Sequence, residues 1–506
     1  MTLARTWSVG LAGVAGAVVE VEVDMSAGVP GVVLVGLPDA VVRQSVDRVR
    51  AAVVNTGASW PMRRITIGLS PASMPKQGSG FDLALAAAVL AAAGTVPADA
   101  ADGLVLLGEL GLDGSVRAVR GVLPAVLAAA QAGHDTVVVP AGNAEEAALV
   151  AGVAVLPAAT LGDLVDHLSG RARLAPYVRG PLPSPAPVPD LGDVVGQAAG
   201  RRAVEVAAAG GHHLFLTGPP GAGKTMLAER LPGLLPVLDE HAALEVTAIH
   251  SVAGTLPPGA PLLSRPPFES PHHSATMAAL VGGGSGVIRP GALCRAHHGV
   301  LFLDEAPEFP RATLDTLRQP LERGEVTIAR ASGAATFPCR AQLVLAANPC
   351  PCASAAGDAA CTCSPLERRR YQARLSGPLL DRIDLRVDLP AVTRAAWLAG
   401  QDPPEASAVV AARVADARQA AAARLGGAGL ALNSQVPGRL LRERWPVPRP
   451  ALALAERALE RGLLSVRGLD RVQRVAWTLA DLGGRAVPDG EDVAEALGMR
   501  LQRVAA

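Results

Sequence analysis

Aromatic residues are scarce in this chain of 506 residues, which has five tryptophans, two tyrosines and six phenylalanines. Rows of base-stacking rings, on which many proteins hold single-stranded nucleic acid, are therefore not expected. Net charge is missing too, because 46 basic residues balance 46 acidic ones. No overall field draws the chain to nucleic acid or to a membrane, so any site for a polyanion must be a local patch.

Cysteines and long apolar runs are also few. Six cysteines in a chain of this length do not make a disulfide framework. The longest dense apolar run, Leu83–Gly94, is too short to cross a bilayer. The apolar stretch after Arg5 runs directly into the alternating pattern VVEVEVD, which favours a strand over a signal peptide. We expect a soluble cytoplasmic protein with reduced thiols and no membrane partner.

The order of segments predicts an α/β protein with three domains and a linker, which agrees with a length of roughly 100–200 residues per domain. Residues 1–170 alternate strand and helix patterns and predict a first α/β or α+β domain. A proline-rich linker at 171–189 follows, stiff and extended. Strand and helix patterns alternate again over residues 190–390, and residues 391–506 have an almost entirely helical pattern. In the first domain the predicted strands are Val18–Val23, Gly31–Val35, Arg64–Gly68, Leu104–Leu107 and Thr136–Val139, and the predicted helices are Ala40–Asn55, Phe81–Ala93 and Val122–Ala132.

The strongest motif is a glycine-rich segment between a predicted strand, His213–Thr217, and a predicted helix that opens at Met226. It fits G-x-x-x-x-G-K-[ST], and its residues are Gly218, Pro219, Pro220, Gly221, Ala222, Gly223, Lys224 and Thr225. Such glycines let successive backbone N–H groups face a phosphate, and the helix start adds positive potential. Lys224 is then expected to reach the β- and γ-phosphates of ATP, and Thr225 to bind Mg²⁺.

Two further apolar strands end in polar residues. The strand at 299–303 ends in Asp304 and Glu305, which suit an Mg²⁺ ligand and the group that polarises the attacking water. The strand at 342–347 ends in Asn348, which could hydrogen-bond the γ-phosphate and orient water. A cap on the turn before Pro349 is the alternative for Asn348.

Arginines form two more candidate sites. Arg382 lies between acids in the segment LLDRID, and Arg467 opens a basic helical segment that also contains Arg471 and Arg474. The planar guanidinium suits a phosphate, and one lent by a neighbouring subunit would make hydrolysis depend on assembly. Because 44 of the 46 basic residues are arginines, an ordinary surface or ion-pair role stays open for each.

Four cysteines are clustered in the pattern C-x-C-x₈-C-x-C, at Cys350, Cys352, Cys361 and Cys363. Four thiolates could enclose one Zn²⁺ tetrahedrally, although this spacing is less common than C-x-x-C. Ordinary free thiols and a redox disulfide are the alternatives. A zinc ion here would stiffen the segment that follows Asn348.

Taken in order, the segments GPPGAGKT, VLFLDE, LAANPCPC, SGPLLDRIDL and SVRGLDRVQRVAWTLADL resemble the magnesium-chelatase-like AAA+ ATPases of the ComM/YifB family. The resemblance covers nearly the whole chain and includes RPPFESPHHSA. It implies a central AAA+ domain with a C-terminal helical lid, and a homo-hexameric ring that hydrolyses ATP between subunits. It also implies that Asn348 is sensor 1, Arg382 a trans-acting arginine finger and Arg467 sensor 2, with the adenine held near Val195, between Asp193 and Gln197.

The first domain resembles the ribosomal S5/Lon-protease-like fold. In Lon-type proteases a nucleophilic serine stands two residues after the glycine of P-K-x-G, but here Gly80 has that place and Ser79 is one residue away. No lysine lies between Lys76 and Lys224 to act as a base. The resemblance therefore excludes a Lon-type Ser–Lys dyad. For Lys76 itself, a contact with DNA or an acidic partner and a solvated loop position both stay open.

Family members are linked to natural transformation, and some drive branch migration of DNA. We therefore expect an ATP-driven ring motor that acts on DNA. A magnesium-chelatase-type motor subunit and a protein-remodelling ATPase are the alternatives. With no net positive charge, a DNA surface must come from ring geometry. The candidates are the insert Glu240–Cys294, whose adjacent His272 and His273 rarely share one metal, and the run Arg368–Tyr371, for which a solvated helix face is the alternative.

Overall fold

Two β-sheets organise the chain, one in its first third and one in its centre. The computed structural model describes residues 2–181, 187–257, 262–284, 288–330, 333–354, 361–391 and 404–501. No helix in these ranges is long and apolar enough to cross a membrane.

The first sheet has seven strands in the order β3-β4-β2-β1-β5-β8-β9. The strands of this region are β1 Thr2–Ala12, β2 Ala15–Ser26, β3 Gly31–Val35, β4 Arg64–Ser70, β5 Leu104–Leu106, β6 Glu109–Leu110, β7 Val116–Arg117, β8 Thr136–Pro140 and β9 Ala154–Ala158. Its helices are α1 Ala40–Asn55, α2 Asp82–Ala92, α3 Val122–Gln131, α4 Ala144–Ala147 and α5 Leu161–Leu168. Every residue of α2 is buried, which explains why its sequence is apolar on all sides.

The first strand is the element that the sequence analysis missed. β1 pairs with β2 in antiparallel register, from Thr2 opposite Met25 to Ala12 opposite Ala15. Its one glycine and two alanines carry no regular alternation, so the pattern that identified β2 is absent from β1. The apolar start of the chain is thus a strand of the sheet.

The central sheet has five strands, all parallel, in the order β11-β14-β17-β10-β18. The strands of this region are β10 Leu214–Thr217, β11 Phe268–Glu269, β12 Gly282–Gly283, β13 Arg289–Pro290, β14 Val300–Leu303, β15 Glu325–Arg330, β16 Gly333–Pro338, β17 Gln342–Ala347 and β18 Leu385–Asp388. Its helices are α6 Ala198–Gly210, α7 Lys224–Leu234, α8 Glu240–Ala253, α9 Met277–Val281, α10 Ala292–Arg295, α11 Arg311–Asp315, α12 Pro320–Arg323, α13 Pro365–Gln372 and α14 Gly377–Leu380.

Both faces of the central sheet are buried, as expected for parallel strands with apolar runs. Leu214, Leu216 and Phe302 face a core that the C-terminal helices share, whereas Phe215 and Leu301 face a second core on the opposite side. The C-terminal helices are Ser407–Leu425, Gly438–Arg444, Arg449–Glu460, Val466–Leu482 and Gly490–Gly498. The helical segment therefore packs directly on the sheet; its division into a separate lid domain stays a prediction, as do the other domain limits.

Candidate functional site

The phosphate loop, the two acids and the asparagine lie at one edge of the central sheet. The loop follows β10, Asp304 and Glu305 follow β14, and Asn348 follows β17, which lies between those two strands. Parallel strands present their carboxyl ends at the same edge, and ligands of open α/β sheets bind there. The fold thus brings together the three segments that the sequence analysis singled out separately.

Lys224 links the phosphate loop to Asn348. Its Nζ donates to the carbonyl oxygens of Gly218 at 2.6 Å and Pro219 at 3.0 Å, and to Oδ1 of Asn348 at 3.0 Å. Burial lowers the pKa of Lys224, while the charges of Asp304 and Glu305 act in the opposite direction. The ammonium group is therefore held by oxygens that a phosphate can replace, next to the asparagine expected to sense it.

Thr225 and Asp304 form the second contact across this edge. The Thr225 hydroxyl donates to Oδ2 of Asp304 at 2.8 Å, and the backbone N–H of Glu305 donates to Oδ1 of the same carboxylate at 2.9 Å. A hydroxyl and a carboxylate are the protein ligands that Mg²⁺ takes beside a bound nucleotide. These two side chains fit an Mg²⁺ ion, which would neutralise charge on the phosphates.

The geometry of the loop depends on glycine. Gly221 and Gly223 adopt positive φ angles of 75° and 84°, which favour glycine, and α7 begins directly after Gly223. At Gly218 a Cβ would stand 2.6 Å from the carbonyl oxygen of Leu389, so no side chain fits there. Ala222 of the loop is buried, while Met226, the first residue after the motif, lies in α7 and is exposed.

Glu305 contacts a residue whose role the sequence analysis did not assign. Nδ1 of His273 lies 3.3 Å from Oε2 of Glu305, and Glu305 itself has a positive φ of 49°. The sequence analysis placed His273 only within the insert considered as a DNA surface. No local pattern relates the two residues, because they lie on separate segments of the chain that meet only in the fold.

The segment expected near the adenine is anchored to the C-terminal helices. Asp193 pairs with Arg230 of α7 at 3.3 Å, and the N–H of Leu191 donates to the Ser407 hydroxyl at 2.7 Å. Val195 is half-buried between these anchors and the start of α6. The segment is thus fixed both to the helix of the phosphate loop and to the helical region, which suits a base-binding position.

Arg382 is held within its own chain, away from the phosphate loop. Its Nε donates to the carbonyl oxygen of Arg318 at 3.1 Å, its Nη1 to that of Pro378 at 2.6 Å, and its Nη2 pairs with Glu322. None of these three partners, all of them described residues, belongs to the phosphate loop. The interfacial role of Arg382 therefore stays a prediction, since a single chain cannot test it.

Arg467 lies at the exposed start of the helix Val466–Leu482, which we call the arginine helix. One turn later, Nη1 of Arg471 donates to the carbonyl oxygen of Arg382 at 3.2 Å. Residues four apart share a helix face, so Arg467 is on the side of the helix that meets the Arg382 segment. No hydrogen bond or ion pair of the Arg467 side chain is found in the described part of the chain.

The four clustered cysteines bring their sulfur atoms together. The Sγ atom of Cys350 lies 3.2 Å from that of Cys352 and 3.4 Å from that of Cys361, and all four Sγ atoms, with that of Cys363, lie within 4.8 Å of one another. All four are free thiols. Hydrogen bonding, chiefly with Cys350, lowers the pKa of Cys352 to about 6, while burial raises the pKa of Cys350 to about 12. The donor set fits one Zn²⁺ ion.

A second group with metal-binding side chains, Glu245, His297 and His298, is better explained by hydrogen bonds. Nδ1 of His297 accepts the backbone N–H of Arg340 at 3.0 Å, so its proton is on Nε2, which lies 3.3 Å from Glu245. A protonated Nε2 cannot bind a metal. Burial lowers the pKa of His297 to about 4, which keeps the ring neutral.

Lys76 is completely buried, which contradicts both roles considered for it. Its Nζ donates to the carbonyl oxygen of Pro71, and burial lowers its pKa. It therefore contacts neither solvent nor an external partner. The Ser79 hydroxyl donates to Glu109 rather than to a lysine, in line with the absence of a Lon-type dyad.

The basic run lies on α13, directly after the cysteine cluster. Arg369 and Arg370 are exposed, while Tyr371 is buried. Ser364 caps this helix through a reciprocal pair of hydrogen bonds with Glu367, so the cap directly follows Cys363 and the helix starts at Pro365. The helix that presents these two arginines to solvent thus begins just beyond the cysteine cluster.

A parallel sheet with a glycine-rich loop, two acids and an asparagine at one edge is typical of P-loop nucleotide-binding proteins. Family models for magnesium chelatase subunit ChlI match residues 190–397 and 21–143, and the model for its C-terminal part matches residues 404–500.

Relatives match along the whole chain. An uncharacterised protein of Mycobacterium tuberculosis is 55% identical over 99% of both chains. Competence protein ComM of Haemophilus influenzae is 41% identical over 99% of this chain and 98% of its own length. The uncharacterised protein YifB of Escherichia coli is 40% identical over 95% and 94%. The chain therefore belongs to the magnesium-chelatase-like ComM/YifB family of AAA+ proteins.

Proposed function

We propose that the protein is an ATPase whose active site is the edge formed by the phosphate loop, Asp304, Glu305 and Asn348. The observation that carries this proposal is the pair of contacts Lys224–Asn348 and Thr225–Asp304, which join three strands around the place for a triphosphate. Lys224 neutralises the β- and γ-phosphates, Thr225 and Asp304 hold Mg²⁺, and Glu305 orients the attacking water.

The ATPase works as a ring, by our proposal a homo-hexamer. Arg382 and Arg467 are the arginines expected to act on phosphates, yet Arg382 is bound to its own chain away from the loop, and Arg467 lies on the same side. A neighbouring subunit would bring these arginines to the triphosphate. The fork of a guanidinium would then stabilise the charge of the transferred phosphoryl group.

DNA is the proposed substrate, and branch migration or unwinding the proposed work. The name of the Haemophilus relative, competence protein ComM, supports DNA, and so do the exposed arginines of α13. Repeated around a ring, Arg369 and Arg370 would form a local positive surface although the chain has no net charge. ATP-driven movement of that surface would carry the strand.

Zinc is the second proposed metal, held by Cys350, Cys352, Cys361 and Cys363. Sulfurs about 2.3 Å from a tetrahedral zinc lie about 3.8 Å apart, close to the spacing of the three thiols measured. The site is structural, because all four positions of the ion are filled by protein. It would join the segment after Asn348 to α13.

The deciding experiment measures ATP hydrolysis by the full chain alone, with branched DNA, with single strands and with an unfolded protein. We expect branched DNA to stimulate turnover most. Stimulation by unfolded protein alone would favour the protein-remodelling alternative, and dependence on a porphyrin-binding partner would favour a chelatase-type motor. A chain that hydrolyses no ATP under any of these conditions would contradict the ATPase itself.

A further inference from the structure

Asp384 is a buried carboxylate two residues after Arg382, and it joins three separate segments. Its Oδ2 accepts the backbone N–H of His213 at 3.2 Å and lies 3.6 Å from Nδ1 of His212, while its Oδ1 pairs with Arg471. Burial acts to raise the pKa of Asp384, but the neighbouring His212 and the charge of Arg471 outweigh it and hold that pKa well below its usual range. The carboxylate is therefore ionised.

These partners connect both halves of the proposed active site. His213 directly precedes β10, which ends at the phosphate loop, and Arg471 is one turn after Arg467 on the arginine helix. Arg471 also donates to the carbonyl oxygen of Arg382 at 3.2 Å. The backbone that carries Arg382 is therefore connected to β10 by the hydrogen bond from His213 to Asp384. It is connected to the arginine helix by the Asp384–Arg471 ion pair.

We propose that the Asp384–Arg471 pair is a positioning device that sets where Arg382 stands and links that position to the arginine helix and to β10. The proposal rests on the ATPase ring proposed above and adds a regulation of its site. A movement of β10 or of the arginine helix when ATP binds in one subunit would shift the Arg382 that this subunit offers to its neighbour. Adjacent sites in the ring would thereby be coupled.

A matched control exists on the same helix. Asp481 of the arginine helix pairs with Arg424, and the side-chain exposures of Arg424 and Asp481, 17% and 1%, are close to those of Arg471 and Asp384, 17% and 3%. The Arg424–Asp481 pair makes no contact with the Arg382 segment among the described residues. Asp481→Asn therefore removes a similar buried charge without touching the proposed device.

The test compares Asp384→Asn, Asp481→Asn and Arg382→Ala in the full chain. We expect Asp384→Asn to lower kcat for ATP by roughly 10- to 100-fold with ATP affinity nearly unchanged, because a misplaced catalytic group costs about this much. Its Hill coefficient for ATP should fall to one. Asp481→Asn should keep kcat and the Hill coefficient, and Arg471→Lys, which retains the charge, should lose less activity than Arg471→Ala.

Mixing experiments separate this proposal from the ring itself. Glu305→Gln subunits have an intact Arg382 segment, so mixing them with Asp384→Asn subunits should restore hydrolysis at the intact Glu305 sites. If Arg382→Ala subunits are restored by this mixing but Asp384→Asn subunits are not, the positioning role is wrong and the ring survives. If Arg382→Ala keeps full activity by itself, the proposed interfacial role of Arg382 is wrong, whatever the result for Asp384→Asn. Equal losses in Asp384→Asn and Asp481→Asn would also overturn the positioning role.

Discussion

His273 holds Glu305 through a contact of 3.3 Å between Nδ1 and Oε2. Glu305 is the residue proposed to orient the attacking water, and a carboxylate engaged by an imidazole is less free to accept a proton from that water. The contact joins two loops that leave different parts of the sheet edge. We therefore expect the contact with His273 to slow hydrolysis.

Replacing His273 with alanine should therefore raise the basal ATPase rate. Loss of an exposed polar contact worth up to about 1 kcal/mol corresponds to roughly a fivefold increase in rate at most, measured by phosphate release without DNA. His272→Ala is the matched control, because His272 contacts Ser274 rather than Glu305. A basal rate that falls in His273→Ala would mean that the histidine assists hydrolysis instead.

Lys224 and Glu305 should fail in different ways. Lys224→Ala should lose nucleotide binding, because the ammonium group is the charge that faces the phosphates. Glu305→Gln should bind ATP but hydrolyse it at least ~10²-fold more slowly, because the water loses its base. Binding of a fluorescent ATP analogue and single-turnover hydrolysis distinguish the two. Normal turnover in either variant would refute the assignment.

Purified protein should contain about one zinc ion per chain when prepared in reducing, chelator-free buffer. Cys352→Ser should lose that zinc, whereas Cys294→Ala should retain it, since Cys294 is in the core away from the cluster. Elemental analysis and release of zinc to a colorimetric chelator measure both. Well under one zinc per chain in the unaltered protein would remove the site.

The two exposed arginines of α13 should matter for DNA and not for ATP. Changing Arg369 and Arg370 to alanine should weaken stimulation by branched DNA and reduce the salt dependence of DNA binding, because phosphate contacts release counterions. Arg444 and Arg449, exposed elsewhere, supply the control pair. If both double variants respond to DNA alike, α13 is not the DNA surface. Basal turnover should be unchanged in each.

Much of the sheet edge was predictable because its signals are local. The phosphate loop is encoded within eight consecutive residues, and the strands that end in Asp304 and Asn348 are each predicted from a short run of apolar residues. The rule that parallel strands end at one edge then places these residues together. β1 was missed because its one glycine and two alanines give no alternation, although its pairing with β2 is the longest in the chain's described sheets.

The sequence by itself determined that this chain has a phosphate loop, two acids at a strand end and four thiols within one short segment, because each depends on neighbours in the chain. Only the tertiary structure decided that Lys76 is buried, that His273 meets Glu305 and that Asp384 joins Arg471 to His212. Those partners are far apart in sequence and have no shared motif. Their contacts arise from how the sheet and the helices pack, which no local pattern records.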